Sequence, residues 1–448
     1  MLLQPDQSNV AVTLARLVGA ALTELAAGWK ILTMTALLSF IFFVTDQHLG
    51  ASTTWRTIKP AYLREFFNRI VEGQRVRRIA FLALASIPVI IFALRRLSWP
   101  SQYPLLFGCC LVFLVWDCLT VLWADDRRLA LRRLSSWLIV CISGFSVAQL
   151  LSFNQAVRLM MGCMLISLIL GIAAEVKLRT FLLRPKYRFA GTLHPSQQGV
   201  NCAFMVLGFL YLAASGSVGF GVWVAMTVVA SLFLLLTRSR SAVWAAAVSV
   251  CLWFLQQGHG FGEGTVLRRF SFWQVGLWVF AIIALGWLLV VIVSRQGIKS
   301  ALLKTLLLGR LSSASRTLTG RFPLWQYALR NAAGRLLGGF GYASFWNRER
   351  VLAAFNLTGW RFSDSHSMYI ETMLNTGLVG LALLVFILVL TFWESQHMAS
   401  TEGALMSALT LFVSLHGIFE STFVLPNLFS FAFVLLLSSL AGGAIVRY

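Results

Sequence analysis

Four short polar clusters interrupt an otherwise apolar chain, and their residue types point to the handling of phosphate. The first is RFAGTLHPSQ (188–197), with Arg188 and His194. The second is TRSRS (237–241), with Arg238 and Arg240, and the third is GRFPLW (320–325), with Arg321 and Trp325. The fourth is DSHSMYIE (364–371), with His366 and Tyr369. Guanidinium groups grip phosphate oxygens bidentately and keep their charge at any working pH. Arginines from separate parts of the chain, meeting in one cavity, can hold a lipid-linked diphosphate and stabilise the charge that builds as it departs. A histidine titrating near neutrality can take the proton from an attacking hydroxyl. On this scheme His366, Arg240 and Arg321 are the catalytic set, and Arg188, His194, Arg238, Trp325 and Tyr369 contact substrate. The scheme calls for no metal and no cofactor.

Each cluster also has an ordinary reading. The first can be a Pro/Gly turn with a headgroup-anchoring arginine, and the second an interfacial anchor. Residues two apart on a helix do not share a face, so one of Arg238 and Arg240 points inward; Arg240, opening the following helix, is the choice. Trp325 lies four residues beyond Arg321, where in a helix it stacks on the guanidinium. Tyr369 follows His366 by three residues and faces the same way.

The elements that must position these residues are membrane helices. Of 448 residues 58% are hydrophobic and 12% charged, against about 25% charged in soluble domains. A soluble globule is excluded. Lys and Arg number 37 against 16 Asp and Glu, a formal +21. In a soluble protein that surplus would point to nucleic acid. Here the basic residues lie between apolar runs, which suits anionic headgroups or a phosphate-bearing lipid, with no nucleic-acid partner. The seven cysteines fall in or beside apolar segments with no CxxC spacing, so they read as small buried hydrophobes. Met1 to Lys30 lacks the layout of a removable signal peptide.

A spanning helix needs about 20 apolar residues, and twelve candidates follow: 30–46, 79–95, 104–124, 135–152, 157–175, 198–214, 218–236, 241–257, 272–294, 369–393, 403–420 and 427–446. The stretch 10–27 reads as an interfacial or extra spanning helix. The fold class is therefore all-α and polytopic, one membrane-embedded unit. Residues 1–294 hold spans one to nine, 295–368 form a large loop, and 369–448 hold spans ten to twelve. The loop carries eleven Lys or Arg and mixes helical apolar spacing with Gly breaks, predicting short amphipathic helices on the headgroups. With twelve spans, the loops after the odd-numbered ones share a side and hold 29 of the 37 basic residues. The positive-inside rule would make that side cytoplasmic.

Competing chemistries are weaker. Asp125 and Asp126 resemble a metal-chelating pair, but Arg127 and Arg128 follow at once and no third acid is near, so an ordinary loop is expected. There is no Walker A, HExxH or GxSxG sequence. Asp117, Glu175 and Glu420 are the main acids at membrane depth, too isolated to favour a proton relay.

The segments RFAGTLHPSQQG (188–199), TRSRSA (237–242), GRFPLW (320–325), GGFGYASFW (338–346) and SHSMYIETMLNTGLVG (365–380), in that order, resemble the O-antigen ligase and polymerase superfamily of bacterial membrane glycosyltransferases. The resemblance covers roughly residues 185–385. It implies a multi-pass protein of the bacterial inner membrane with a periplasmic active site. It further implies metal-independent, inverting transfer of a glycan from an undecaprenyl diphosphate carrier to a sugar hydroxyl. By position, Arg240 and Arg321 would hold the diphosphate, His366 would activate the acceptor, and Arg188 would add a contact. Members commonly carry Asn where this chain has Ser196 and Ser367. The resemblance puts the basic loops outside, against the positive-inside rule, and is followed because an anionic carrier gives those loops another reason to exist. The GGFGYASFW stretch looks like polymerases of exopolysaccharide or O-antigen repeat units. A ligase that attaches glycan to a lipid A-core acceptor is the alternative, and a lipid-linked oligosaccharide flippase or export-complex subunit the second. Expected partners are the lipid-linked donor, a glycan or lipid A-core acceptor, membrane lipids, and chain-length regulators or export proteins.

Overall fold

The computed structural model describes residues 28–47, 49, 75–94, 103–182, 187–257, 321–358, 362–398 and 400–442. The candidate helices at 10–27 and 272–294 and loop residues 295–320 lie outside the described residues. With no water in a bilayer core, a spanning backbone must satisfy its own hydrogen bonds, which long apolar runs do as helices. Thirteen α-helices and no strand occur among the described residues. They are α1 (Gly28–Asp46), α2 (Arg75–Leu94), α3 (Pro104–Thr120), α4 (Arg127–Ala148), α5 (Phe153–Lys177), α6 (Pro195–Ala214) and α7 (Phe220–Thr237). They continue with α8 (Arg240–Gln257), α9 (Arg321–Ala332), α10 (Arg348–Thr358), α11 (Met368–His397), α12 (Thr401–Gly417) and α13 (Leu428–Gly442). Eight of these are long and apolar enough to cross a membrane: α1 to α7 and α11. The protein is a polytopic, all-helical membrane protein. Helices α8, α12 and α13 occupy three further expected spans.

The hub is α6. Its spanning window is 94% buried, against 22% for α3, so α6 is surrounded by protein while α3 shows most of its surface to lipid. It packs against α5, α7, α8 and α12. Pro195 at its first turn and His194 at its N-cap begin it where a missing N–H costs nothing.

Contacts gather the turns after α1, α3, α5, α7 and α12 at one end of the bundle. Asp46, ending α1, accepts from the Leu428 N–H at the start of α13, and Gln47 accepts from Thr192 in the α5–α6 turn. Arg188 Nε donates to the Thr237 carbonyl at the end of α7. The Asp125 N–H donates to the Phe340 carbonyl, and Trp325 Nε1 to the Ser365 carbonyl. This is the face on which the parity of the spans collects the basic loops.

Residues 336–346 form a strap that threads into a break in α11. The helix interrupts at Gly377 (φ 71°), and the strap supplies the missing backbone partners: Leu378 N–H donates to the Leu336 carbonyl and Phe340 N–H to the Leu374 carbonyl. A Cβ at Gly377 would run into the Leu337 carbonyl oxygen, so a left-handed, side-chain-free residue is required there. The short helices expected in the large loop are α9 and α10. They do more than rest on headgroups: with the strap they close a second small core of Leu324, Ala328, Phe345, Trp346, Val351 and Leu374. Asp125 is indeed an ordinary loop acid, paired with Arg335 (2.6 Å) and Arg350 (2.7 Å).

Candidate active site

The α5–α6 turn is built around a carboxylate. Glu175, fully buried near the end of α5, accepts from Tyr187 Oη (2.5 Å) and from the backbone N–H groups of Ala190 (2.9 Å) and Gly191 (2.8 Å). Gly191 sits at φ 61°, and a Cβ there would approach Gly171 Cα of α5 to 2.7 Å. Turn and helix therefore meet backbone to backbone. Glu175 is a clamp on the turn that carries Arg188 and His194.

His194 caps α6 with its ring. Nδ1 accepts from the Ser196 N–H (3.3 Å) and lies 2.8 Å from Ser196 Oγ. An accepting Nδ1 leaves the ring proton on Nε2, as the neutral imidazole requires. Burial is the main cause that lowers the His194 pKa to about 4; Arg188 and His366 add to it, against Glu420 and Asp364. Those same charges locate His194 and Arg188 beside the next group.

At the far side of the end face, Glu420 holds two cations at once. Arg321 Nη2, at the first residue of α9, lies 2.5 Å from Glu420 Oε1, and His366 Nδ1 lies 3.1 Å from Oε2. Asp364 Oδ1 stands 3.7 Å from the same Nδ1, accepts from the His366 N–H (2.9 Å) and is held by Ser421 Oγ. Burial alone would lower the His366 pKa, but Asp364 and Glu420 outweigh it and raise it to about 9. Burial likewise opposes the charge on Glu420, yet His366 and Arg321 hold its pKa well below the usual carboxylate range. At neutral pH His366 is thus charged and His194 neutral.

His366 is pinned at φ 51°, a conformation uncommon outside glycine and one that needs surrounding support. The support is visible. Glu371 Oε2, one turn into α11, accepts from the Ser365 N–H (2.8 Å) and from Trp346 Nε1 (3.0 Å), while Trp325 takes the Ser365 carbonyl (2.9 Å). His366 Nε2 makes no hydrogen bond among the described residues.

The sequence-derived set is thus brought together unevenly. Arg321 and His366 meet directly through Glu420, with Arg188 and His194 in electrostatic reach. Arg238, half-buried in a left-handed cap (φ 50°), and Arg240, the first residue of α8, lie at the same end. There a Cβ at Gly199 of α6 would touch Ser239 and Ala242. Two expectations are corrected. Trp325 does not stack on Arg321: Glu420 claims the guanidinium, and the indole stacks on Phe419 instead (6.4 Å). Tyr369 does not accompany His366: its hydroxyl donates to the Ser414 carbonyl of α12 (3.0 Å), fastening α11 to α12. Glu420, read as an isolated acid, is the group missed at the centre. Residues 362–446 hold no Lys or Arg, so the only signal was an acid at the end of an apolar run, where a partner is expected.

Residues 225–385 match the family model described as O-antigen ligase. Over 326 residues the chain is 26% identical to the exopolysaccharide production protein ExoQ of Rhizobium meliloti (strain 1021), covering 67% of this chain and 68% of that relative. Over residues 225–385 the chain is similar to O-antigen ligases. The matched segment takes in Arg238, Arg240, Arg321 and His366, and stops short of Glu420.

Proposed function

We propose that this O-antigen ligase-like membrane enzyme polymerises exopolysaccharide or O-antigen repeat units. It would move a glycan from an undecaprenyl diphosphate carrier to a sugar hydroxyl, with inversion and without a metal, at the periplasmic face of the bacterial inner membrane. The observation that carries the reading is the Arg321–Glu420–His366 group, an imidazole held at Nδ1 by a carboxylate beside a guanidinium. Bonding at Nδ1 orients the ring and leaves Nε2 for the acceptor, the arrangement general-base histidines use.

In the step itself the acceptor oxygen attacks the anomeric carbon from the face opposite the diphosphate. Its proton passes to His366 Nε2, and the bond from the anomeric carbon to the phosphate oxygen breaks, with the electron pair leaving on the diphosphate. Arg321 and Arg240 hold the departing charge; Arg188 and Arg238 extend the cationic surface, and neutral His194 donates its Nε2–H to a phosphate oxygen. Trp325 serves by holding the 364–367 turn. ExoQ's name favours a polymer product over attachment to a lipid A core, so the polymerase is put ahead of the ligase. Chain-length regulators and export proteins are the partners such an enzyme would serve.

The pH profile tests the reading. A base with a pKa near 9 is about one-hundredth deprotonated at pH 7. The transfer rate should therefore climb roughly tenfold per pH unit from 6 to 8 and level off near 9. A rate that is flat to pH 8 and falls above 9 would instead make His366 a cationic phosphate contact. Gel profiles of surface glycans from a deletion strain separate the two products: loss of polymer marks a polymerase, and unattached full-length chains mark a ligase.

A further inference from the structure

Beside the site, between α3, α4, α11 and the strap, a small cavity collects polar atoms that the proposed chemistry does not use. It is lined by Asp117 of α3, Trp137 of α4, Tyr342 of the strap, Asn375 and Thr376 of α11, and Val424, four residues past Glu420. Asp117 is completely buried, and Asn375 and Trp137 are 4% and 7% exposed. Both Asp117 carboxyl oxygens, Trp137 Nε1 and Asn375 Oδ1 lack a hydrogen-bond partner. The Trp137 N–H is directed at the carboxyl group, at the limit of hydrogen bonding. The Thr376 hydroxyl is already spent on the Thr372 carbonyl. Among the described residues no cation pairs with Asp117. Arg133, the basic residue of α4 that reaches Tyr342 and Glu371, donates to the Ala343 carbonyl at 2.6 Å. Tyr342 of the strap, Cys118 on α3 and Cys141 on α4 are the titratable groups in reach of Asp117.

We propose that Asp117 is a neutral carboxylic acid sharing this chamber with one bound water, and that acid and water form the polar joint between α3, α4, α11 and the strap. A single water is enough to meet the unpartnered atoms. A protonated Asp117 offers one donor and one acceptor, Trp137 adds a donor, and Asn375 adds an acceptor. One water accepts from the acid O–H and the indole N–H, and donates to the acid carbonyl and to Asn375 Oδ1, meeting all four. The cavity, about 10 Å³, is near the smallest that seats one water. An ionised Asp117 would present acceptors only, beside Asn375 Oδ1, and would need a bound cation. The indole N–H pointing into the space argues against one. The joint braces α11 between the turn of His366 and the break at Gly377, so it is part of what keeps the site in register.

The test uses the full chain in lipid nanodiscs. Infrared spectra at neutral pH should show a protonated-carboxyl stretch that shifts in D₂O and disappears in Asp117→Asn. Asn reproduces the donor and acceptor of a neutral acid, so Asp117→Asn should melt at the wild-type temperature. Asp117→Leu, which displaces the water and strands Trp137 and Asn375, should melt lower. An ionised-carboxylate band lost in Asp117→Asn, or wild-type melting that rises with sodium over choline, would overturn the proposal in favour of a cation site. A cryo-EM map of the wild type settles the matter even if a variant fails to fold. One density peak within hydrogen-bond reach of Trp137 Nε1 and Asn375 Oδ1 is expected, and an empty chamber would refute it.

Discussion

Glu420 stands between a guanidinium and an imidazolium, so the site's resting electrostatics turn on one carboxylate. Removing it as Glu420→Ala leaves Arg321 and His366 facing each other with no shared acceptor. Breaking a buried pair costs roughly 3–5 kcal/mol, and the part-exposure of Arg321 brings the expectation here down to about 2. Thermal unfolding in nanodiscs should show that loss, with Glu420→Gln milder because its amide oxygen still accepts. The same group makes stability pH-dependent. His366 has a folded-state pKa near 9, above its ordinary 6.5, so its contribution is complete below 6.5 and fades as pH rises through 9. Glu420 is shifted down, so its contribution is present above its ordinary 4.5 and is lost as pH falls below that. Melting should therefore peak between about pH 4.5 and 6.5, and Glu420→Ala should flatten the alkaline limb. At this scale the sequence was half legible. Arg321 and His366 stood out because charge in an apolar chain is conspicuous, whereas Glu420 reaches them only through folding, 99 and 54 residues away.

The helices were legible for a simple reason: hydrocarbon thickness fixes the length of an apolar run, and that length is written in the residues. What was not legible was how they are broken and bridged. GLVG (377–380) in α11 looks like any Gly-bearing apolar run, yet Gly377 is where the helix opens to receive the strap. Gly377→Ala should push Leu337 out of the break, cost the strap its hydrogen bonds to α11, and abolish transfer together with folding yield, as monitored by fluorescence-detected size exclusion. The α5–α6 turn makes a contrasting case. In Glu175→Gln the amide oxygen can still accept from the Ala190 and Gly191 N–H groups while the amide N–H donates to Tyr187 Oη, so the protein should fold; Glu175→Ala releases the turn that carries Arg188 and His194. A raised KM for the lipid-linked donor with a smaller change in kcat is expected from Glu175→Ala, measured on reconstituted protein.

Across the molecule, six polar segments far apart in the chain collect on one end of the bundle, and most of the described basic residues collect with them. The parity of apolar runs was enough to predict that gathering, because each crossing reverses direction. Which compartment the face meets is a separate question, and the account takes it to be the periplasm. A reporter fused after Trp346, in the strap region, should be active only as a periplasmic fusion. The roles of the cationic set at that face come to a head in one assay: transfer by the full chain in proteoliposomes supplied with a lipid-diphosphate glycan, comparing wild type, Arg321→Ala and His366→Ala. The account predicts elongated product from the wild type and none from either variant, with both variants still folded. Product formed by His366→Ala at the wild-type rate, with only the arginine variant impaired, would contradict it and leave a lipid-phosphate carrier in place of a transferase.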